Sequence, residues 1–312
     1  MSRRNGKIVN GWIIIDKPVS VTSTQVVNLL RRGLDAKKCG HAGTLDPLAS
    51  GVLPIAFGEA TKIIPLVMEG SKAYEFTVTW GEERSTDDAE GAVTGRSSHR
   101  PQEADIRAIT SIFTGRIEQS PPKFSALKIN GKRAYDLARA GVNLELEARP
   151  VVIHKLDLIS TTCVESATFR VLCGKGTYIR SLGRDIARRL GTLGYVSELH
   201  RTQTGPFDKT HTISLDNFCS LVHIAAAFDC LLPIEAALDD IPALFLSFSQ
   251  AERIRHGGSV PLSEVKQNTP LEIDRNGGAE DVVCAMTNGR LLALTRIRNG
   301  LVCPFRVLNQ IN

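Results

Sequence analysis

The sequence predicts an α+β protein made of two unequal units, and three observations point there. Stretches that alternate apolar and polar residues are interspersed with stretches of helical period, without the regular strand–helix alternation of a doubly wound sheet. The length, 312 residues, suits one large and one small domain. The segment beyond Asp240 carries a strong hairpin signal and reads as β-rich. Hydrophobic residues at 42% and charged residues at 23% support a sizeable core and exclude disorder, collagen-like repeats and coiled coil as dominant states.

The elements follow in order. Ile8 to Asp16 is apolar and β-branched, a strand ended by Lys17-Pro18. Thr22 or Ser23 can cap a helix over Gln25 to Arg32, where Val26, Val27 and Leu30 fall at helical spacing. Residues 39–62 mix Gly, Pro and small side chains and are expected to be loops rather than a regular element. Lys72 to Trp80 alternates as a strand, with Tyr74, Phe76, Val78 and Trp80 on one face. Glu103 to Thr114 places Ile106, Ile109 and Phe113 on one helical face before a stop at Gly115. Val151 to Ile159 and Ala167 to Cys173 read as strands, and Ser181 to Leu190 as a helix closed by Gly191. A boundary falls near Asp239-Asp240-Ile241-Pro242. Beyond it, Asp281 to Thr287 and Arg290 to Arg298 flank Asn288-Gly289, a pair suited to a type I′ turn.

Charge is modest in sum and uneven in placement. The net charge is +5, with residues 1–50 at +5, 51–120 at −4, 121–200 at +6 and 201–312 at −2. Basic blocks sharing a face would attract a polyanion such as nucleic acid; the alternative is uneven solvated charge. The longest stretch without Asp, Glu, Lys or Arg is thirteen residues, Pro18 to Leu30. A membrane span needs roughly eighteen apolar residues, so no membrane association is expected. The basic start leads into a short apolar strand without a signal-peptide core, and a cytoplasmic location is expected. Seven dispersed cysteines without a C-x-x-C suit a reducing compartment and predict neither a structural metal nor a dithiol motif.

Two segments concentrate unusual chemistry. Gly40 to Gly51 sets Asp46 among Leu45, Pro47 and Leu48, five residues after His41. A carboxylate so placed is costly unless paired or functional, although a turn aspartate capping backbone amides fits the same spacing. In the second segment, residues 174–190, Arg180, Arg184 and Arg188 recur at i, i+4, i+8. Such a stripe is ordinarily solvated, with nucleic-acid contact as the alternative. The Gly174–Thr177 run lacks the phosphate-loop spacing, and the zincin, nucleophile-elbow and dinucleotide signatures are missing.

Ordered motifs then carry a resemblance. Asp16-Lys17-Pro18 is followed by GHAGTLDPLASGVLPIAFGEATK (40–62), KAYEF (72–76) and TDDAEG (86–91). QSPPKFSALKINGKRAYDLARAG (119–141), GTYIRSLGRDIARRLG (176–191) and ELHRTQTGPF (198–207) complete the set. Over about residues 8–235 the chain closely resembles the bacterial TruB family, the tRNA pseudouridine-55 synthases. The resemblance implies a pseudouridine synthase fold with a mixed, mainly antiparallel sheet in a catalytic domain at 1–239. It also implies a basic RNA-clamping insertion at 119–149 and, by position, a PUA-like domain at 240–312.

The implied reaction breaks the N1–C1′ bond of uridine 55 in the tRNA T-loop, turns the uracil and rejoins it through C5. Atoms and charge balance, so neither a cofactor nor a metal is expected. The family's essential aspartate falls on Asp46, which would attack C1′ or take the 2′ proton. Arg180 would pair with Asp46 through a bidentate fork. Tyr74 would stack on the uracil and place its hydroxyl for proton transfer at C5. Tyr178 and Leu199 would line the pocket, and His41 would contact the T-loop and help keep the flipped base out of its stack. Lys17 and Lys62 match basic positions near the RNA or the pocket. Lys123, Lys128, Lys132, Arg133 and Arg139 make the insertion basic, and Phe124, where tyrosine is frequent in the family, Leu127 and Tyr135 give it apolar surface. The expectation is a monomeric tRNA pseudouridine-55 synthase. The alternatives are a guide-RNA-dependent rRNA enzyme and a non-catalytic tRNA-folding protein.

Overall fold

The computed structural model describes residues 6–125, 127–129, 131–142, 146–267 and 282–309. A ten-stranded sheet organises the larger part of the chain. Its central strands are β1 (Gly11–Lys17), β2 (Ser50–Phe57), β3 (Lys72–Trp80), β4 (Arg149–Cys163), β5 (Ser166–Cys173) and β6 (Gly194–Thr204). They lie in the order β1-β2-β6-β3-β5-β4, with Thr212–Ser214 beyond β1 and Gly115–Gln119 beyond β4. Pairing is antiparallel except between β2 and β6 and between β1 and Thr212–Ser214, so the sheet is mixed and mainly antiparallel. A six-stranded sheet spanning Ala243 to Val307 forms the smaller unit. The fold is α+β.

The segment 39–62 departs from the sequence expectation. Cys39–His41 and β2 are strands, Gly58–Lys62 is a 3₁₀ turn, and only residues 42–49 form an irregular loop. The reason is burial. Leu53, Ile55 and Phe57 enter one core while Val52 and Ala56 enter the core on the opposite face. A strand buried on both faces loses the apolar–polar alternation that marks strands in sequence. β1 behaves alike, with Ile13 and Ile15 on one side and Trp12 and Ile14 on the other.

The other elements follow their local codes. Helix α1 (Ser23–Gly33) starts at a capping box made by Thr22 and Gln25. β3 alternates as expected, burying Phe76, Val78 and Trp80 and half-burying Tyr74. Helix Glu103–Ile109 stops earlier than the apolar period suggested, its last turn giving way to turns at 110–114. Helix α2 (Ile179–Arg189) starts two residues before the expected point, which places Arg180 in its first turn. Val282–Thr287 and Arg290–Arg298 form the expected hairpin, and Asn288 and Gly289 both have positive φ, as a type I′ turn needs. Asp281 lies outside the described residues.

The smaller sheet packs on the Trp12–Ile14 face of the larger one through Cys284, Leu291, Leu294 and Leu308. Polar contacts fix the seam. Lys62 donates to the Val307 carbonyl at 2.8 Å, and the Leu291 amide donates to Glu235 at 2.8 Å. Among the described residues no helix is long and apolar enough to cross a membrane.

Two glycines test how tightly the fold is closed. Gly51 has φ +102°, and a Cβ there would meet the Arg201 carbonyl oxygen at 2.2 Å. Gly191 has φ +74° but open space around it. Gly51→Ala is expected to cost about 3 kcal/mol or more in urea unfolding. Gly191→Ala should cost about 1 kcal/mol, the backbone penalty alone. Equal losses would show that the approach of β2 to Arg201 does not limit packing.

Candidate active site

Loop 42–49 is short and pinned at several points. The Ala42 amide donates to the Pro54 carbonyl at 2.9 Å, and the Ser20 amide donates to the Pro47 carbonyl at 2.8 Å. Ser23, at the start of α1, accepts from the Leu45 amide and donates to the Leu45 carbonyl, both at 2.9 Å. The Leu45 side chain is buried in the core. Asp46 therefore projects from fixed backbone, with its side chain 36% exposed.

Arg180 faces it from α2, its own side chain only 8% exposed. Nη2 lies 2.9 Å from Asp46 Oδ2, and Nη1 lies 3.4 Å from Asp88 Oδ2. The guanidinium also donates to the Thr86 carbonyl at 2.9 Å and the Phe124 carbonyl at 3.1 Å. The fork thus spans two carboxylates and two carbonyls, rather than serving Asp46 alone as expected. Asp88 is buried, and its Oδ1 accepts from the Glu90 amide at 3.0 Å and from the Thr86 hydroxyl.

One helical turn later, Arg184 repeats the device. It donates to Asp87 Oδ2 and Asp185 Oδ1 at 2.9 Å each and to the Ser120 carbonyl at 3.0 Å. Burial raises the Asp87 pKa while Arg184 and Arg180 oppose that rise. Asp87 also takes φ +60°, a left-handed backbone uncommon outside glycine. Arg188 pairs with Glu83. Arg180 and Arg184 are therefore internal, meeting the acidic loop where α2 packs against it, while Arg188 at the end of the stripe is exposed.

The remaining expected residues divide into two groups. Lys17 is fully buried and donates to the carbonyls of Pro18, Val21 and Pro47 at 2.8, 2.7 and 3.4 Å. Burial pushes its pKa down to about 8, with the Asp46 charge acting the other way. It braces the loop from below, a role in holding backbone rather than in reaching RNA. Tyr74 sits on β3 directly opposite Arg201 of β6, within electrostatic reach of that guanidinium and of Asp46. His41 has a buried Nδ1 without a hydrogen-bond partner, and burial and Arg201 lower its pKa. Tyr178 caps α2, its amide donating to Gln119 Oε1 at 2.8 Å. Leu199 borders a cavity of about 380 Å³ with Val19, Leu48, Ser50 and Phe76. Lys62 stands apart, paired with Glu59 and the Val307 carbonyl at the seam between the sheets.

The base of segment 119–149 docks on α2. The Ser120 carbonyl accepts from Ser181 Oγ at 2.8 Å as well as from Arg184, and Phe124 meets Arg180. Lys123 is exposed, and Phe124, Leu127 and Tyr135 are half-buried. The side chains of Lys128, Lys132, Arg133 and Arg139 lie outside the described residues.

Sequence reasoning missed Asp87, Asp88 and Arg201. A signal existed for each. The Asp87-Asp88 doublet stands in a turn closed by Gly91, and Arg201 follows Leu199 at the period of two that points inward on β6.

A mixed, mainly antiparallel sheet with a smaller β-rich sheet packed on it is the fold of the pseudouridine synthases. The fold superimposes on the crystal structure of a Cbf5–Nop10–Gar1 complex with a TM-score of 0.74, at 26% identity, covering 96% of this chain and 85% of that one. Residues 31–179 match the N-terminal domain of the TruB family pseudouridylate synthases, and residues 180–239 match the tRNA pseudouridylate synthase B C-terminal domain. The chain is 51% identical to tRNA pseudouridine synthase B of Rhodospirillum rubrum over 308 residues, 98% of this chain and 99% of that one. It is 50% identical to the Bradyrhizobium diazoefficiens protein of the same name, covering 98% of this chain and 88% of that one. The chain belongs to the TruB family of pseudouridylate synthases.

The Arg184–Asp87 pair yields a test of what holds the acidic loop. Asp87→Ala leaves a buried guanidinium without its main partner and should cost about 3 kcal/mol in thermal or urea unfolding. Asp87→Leu combined with Arg184→Met removes both charges and should recover most of that loss. A double variant as unstable as the single one would show that the loop depends on more than charge balance.

Proposed function

We propose that this chain isomerises uridine 55 in the tRNA T-loop to pseudouridine. The observation that carries the reading is the Asp46–Arg180 ion pair in a TruB-family fold, with Asp46 half-exposed and its partner buried. The N1–C1′ bond breaks, the uracil turns, a C5–C1′ bond forms, and the C5 proton is lost as N1 regains one. Asp46 acts on the ribose, as nucleophile at C1′ or base at C2′. Both roles need a carboxylate held in one orientation, and the guanidinium aims it.

Tyr74 supports the uracil and handles the proton at C5, while His41 contacts the T-loop and helps keep the flipped base out of its stack. Tyr178 and Leu199 shape the pocket. Residues 119–149 close over the T-arm, reading shape and unstacked bases more than sequence. Flipping the target base costs a few kcal/mol, which those contacts offset. Residues 1–239 form the catalytic domain and 240–312 a PUA-like RNA-binding unit in a cytoplasmic monomer. Relatives of about half-identical sequence named for tRNA favour that substrate over a guided rRNA target.

Incubation with unmodified tRNA should yield pseudouridine at position 55, read by chemical mapping. Asp46→Asn should abolish product while tRNA binding survives, and normal turnover by that variant would overturn the assignment. Arg180→Ala should slow turnover by about a hundredfold or more, since it removes preorganised charge at the reacting centre.

A further inference from the structure

We infer that Arg201 is a positioning residue of the reaction, holding the backbone of the Asp46 loop with one buried guanidinium while facing Tyr74 across the paired strands. The inference rests on the proposed role of Tyr74 at C5 and concerns what governs its hydroxyl. Arg201 is 1% exposed, and no carboxylate among the described residues pairs with it. Its Nε donates to the Val52 carbonyl at 2.8 Å, Nη2 to the Gly43 carbonyl at 3.0 Å, and Nη1 lies 3.5 Å from the Thr44 carbonyl. Tyr74 is its directly opposite neighbour on β3, and a charge on Tyr74 favours the protonated guanidinium.

A buried charge without a counter-ion is costly, and the surroundings are built to keep this one. Gly43 has φ +112°, and a Cβ there would lie 3.4 Å from Arg201 Nη1; Gly51 lets β2 lie against the Arg201 backbone. The glycines of the catalytic loop thus answer to Arg201 as well as to the turn. The same charge disfavours protonation of Lys17, His41 and Lys72. Among the ionisable groups near it, Tyr74 is the one whose charged form it favours.

The chemistry follows from that asymmetry. Burial, Cys173 and Asp46 resist ionisation of Tyr74, and the Arg201 charge opposes them. Once the phenol has lost its proton to solvent, the phenolate lies against the guanidinium as an ion pair. It then takes the proton from C5: the C5–H bond breaks, its electron pair returns to the ring, and the O–H bond re-forms. Arg201 touches neither sugar nor base in this account; it acts through Tyr74 and through the loop.

The test compares Arg201→Gln, which removes the charge, with Arg201→Lys, which keeps it but loses the fork. Phenolate absorbance is titrated in each background, and the Tyr74 contribution is isolated by subtracting the matching Tyr74→Phe variant. Arg201→Gln should move the Tyr74 titration upward by about one pH unit or more. Its single-turnover rate on tRNA should fall about a hundredfold, with the ascending limb of the pH profile shifted the same way, at unchanged tRNA affinity. Arg201→Lys should hold the titration near the parent value while still slowing turnover, and it carries the comparison if the glutamine variant does not fold. A Tyr74 titration that stays put in folded Arg201→Gln overturns the role of Arg201. Full activity of Tyr74→Phe would instead overturn the proton-transfer reading on which it rests.

Discussion

Arg180 meets acceptors from three separate parts of the chain: Asp46 in the loop before β2, Thr86 and Asp88 in the acidic turn after β3, and Phe124 at the base of the insertion. A guanidinium buried this deeply must have its donors satisfied and its charge answered, or the fold loses several kcal/mol. That requirement draws the three segments to the first turn of α2. Arg184 imposes the same condition one turn later with Asp87 and Ser120. Arg201 imposes it beneath the loop with Gly43, Thr44 and Val52. The site is a set of irregular segments held in place by cations that cannot be left unpaired.

The sheet makes this possible by being rigid where the loops are not regular. β2 is buried on both faces and pairs with β1, which is buried the same way, so the loop that carries Asp46 leads into a strand that has no freedom to shift. Ser23 and Lys17 then bind its carbonyls and Leu45 anchors it by burial. The placement of the Asp46 carboxylate comes from these supporting contacts, since a lone ion pair at a half-exposed position would leave the geometry loose.

Much of the fold was legible because its codes are local. The Thr22–Gln25 capping box, the alternation of Lys72–Trp80 and the Asn288-Gly289 turn each depend on a few neighbouring residues. β2 was not legible, because its partners bury both faces and erase the period. Asp46 and Arg180 were found as a pair because the ordered motifs around them are distinctive. Asp88 and Arg201 were not, because their importance is set by what crosses them in space: a guanidinium from 92 positions later for Asp88, and a phenol on the adjacent strand for Arg201.

Charge placement changes meaning in the same way. The block 121–200 carries net +6, and counted in sequence it suggests a polyanion-binding surface. Yet Arg180 and Arg184 face inward against Asp46, Asp87 and Asp88, and Lys17, in the other basic block, is sealed under the loop by three carbonyls. These cations hold the Asp46 loop and the acidic turn in place and are not available to phosphates. Long-range attraction of RNA then falls to the basic residues outside that interior set, and the acidic turn at 86–91 is an internal counterweight rather than a dilution of surface charge. Separating the cations that build the site from those that attract the substrate is what turns a small net charge into a statement about function.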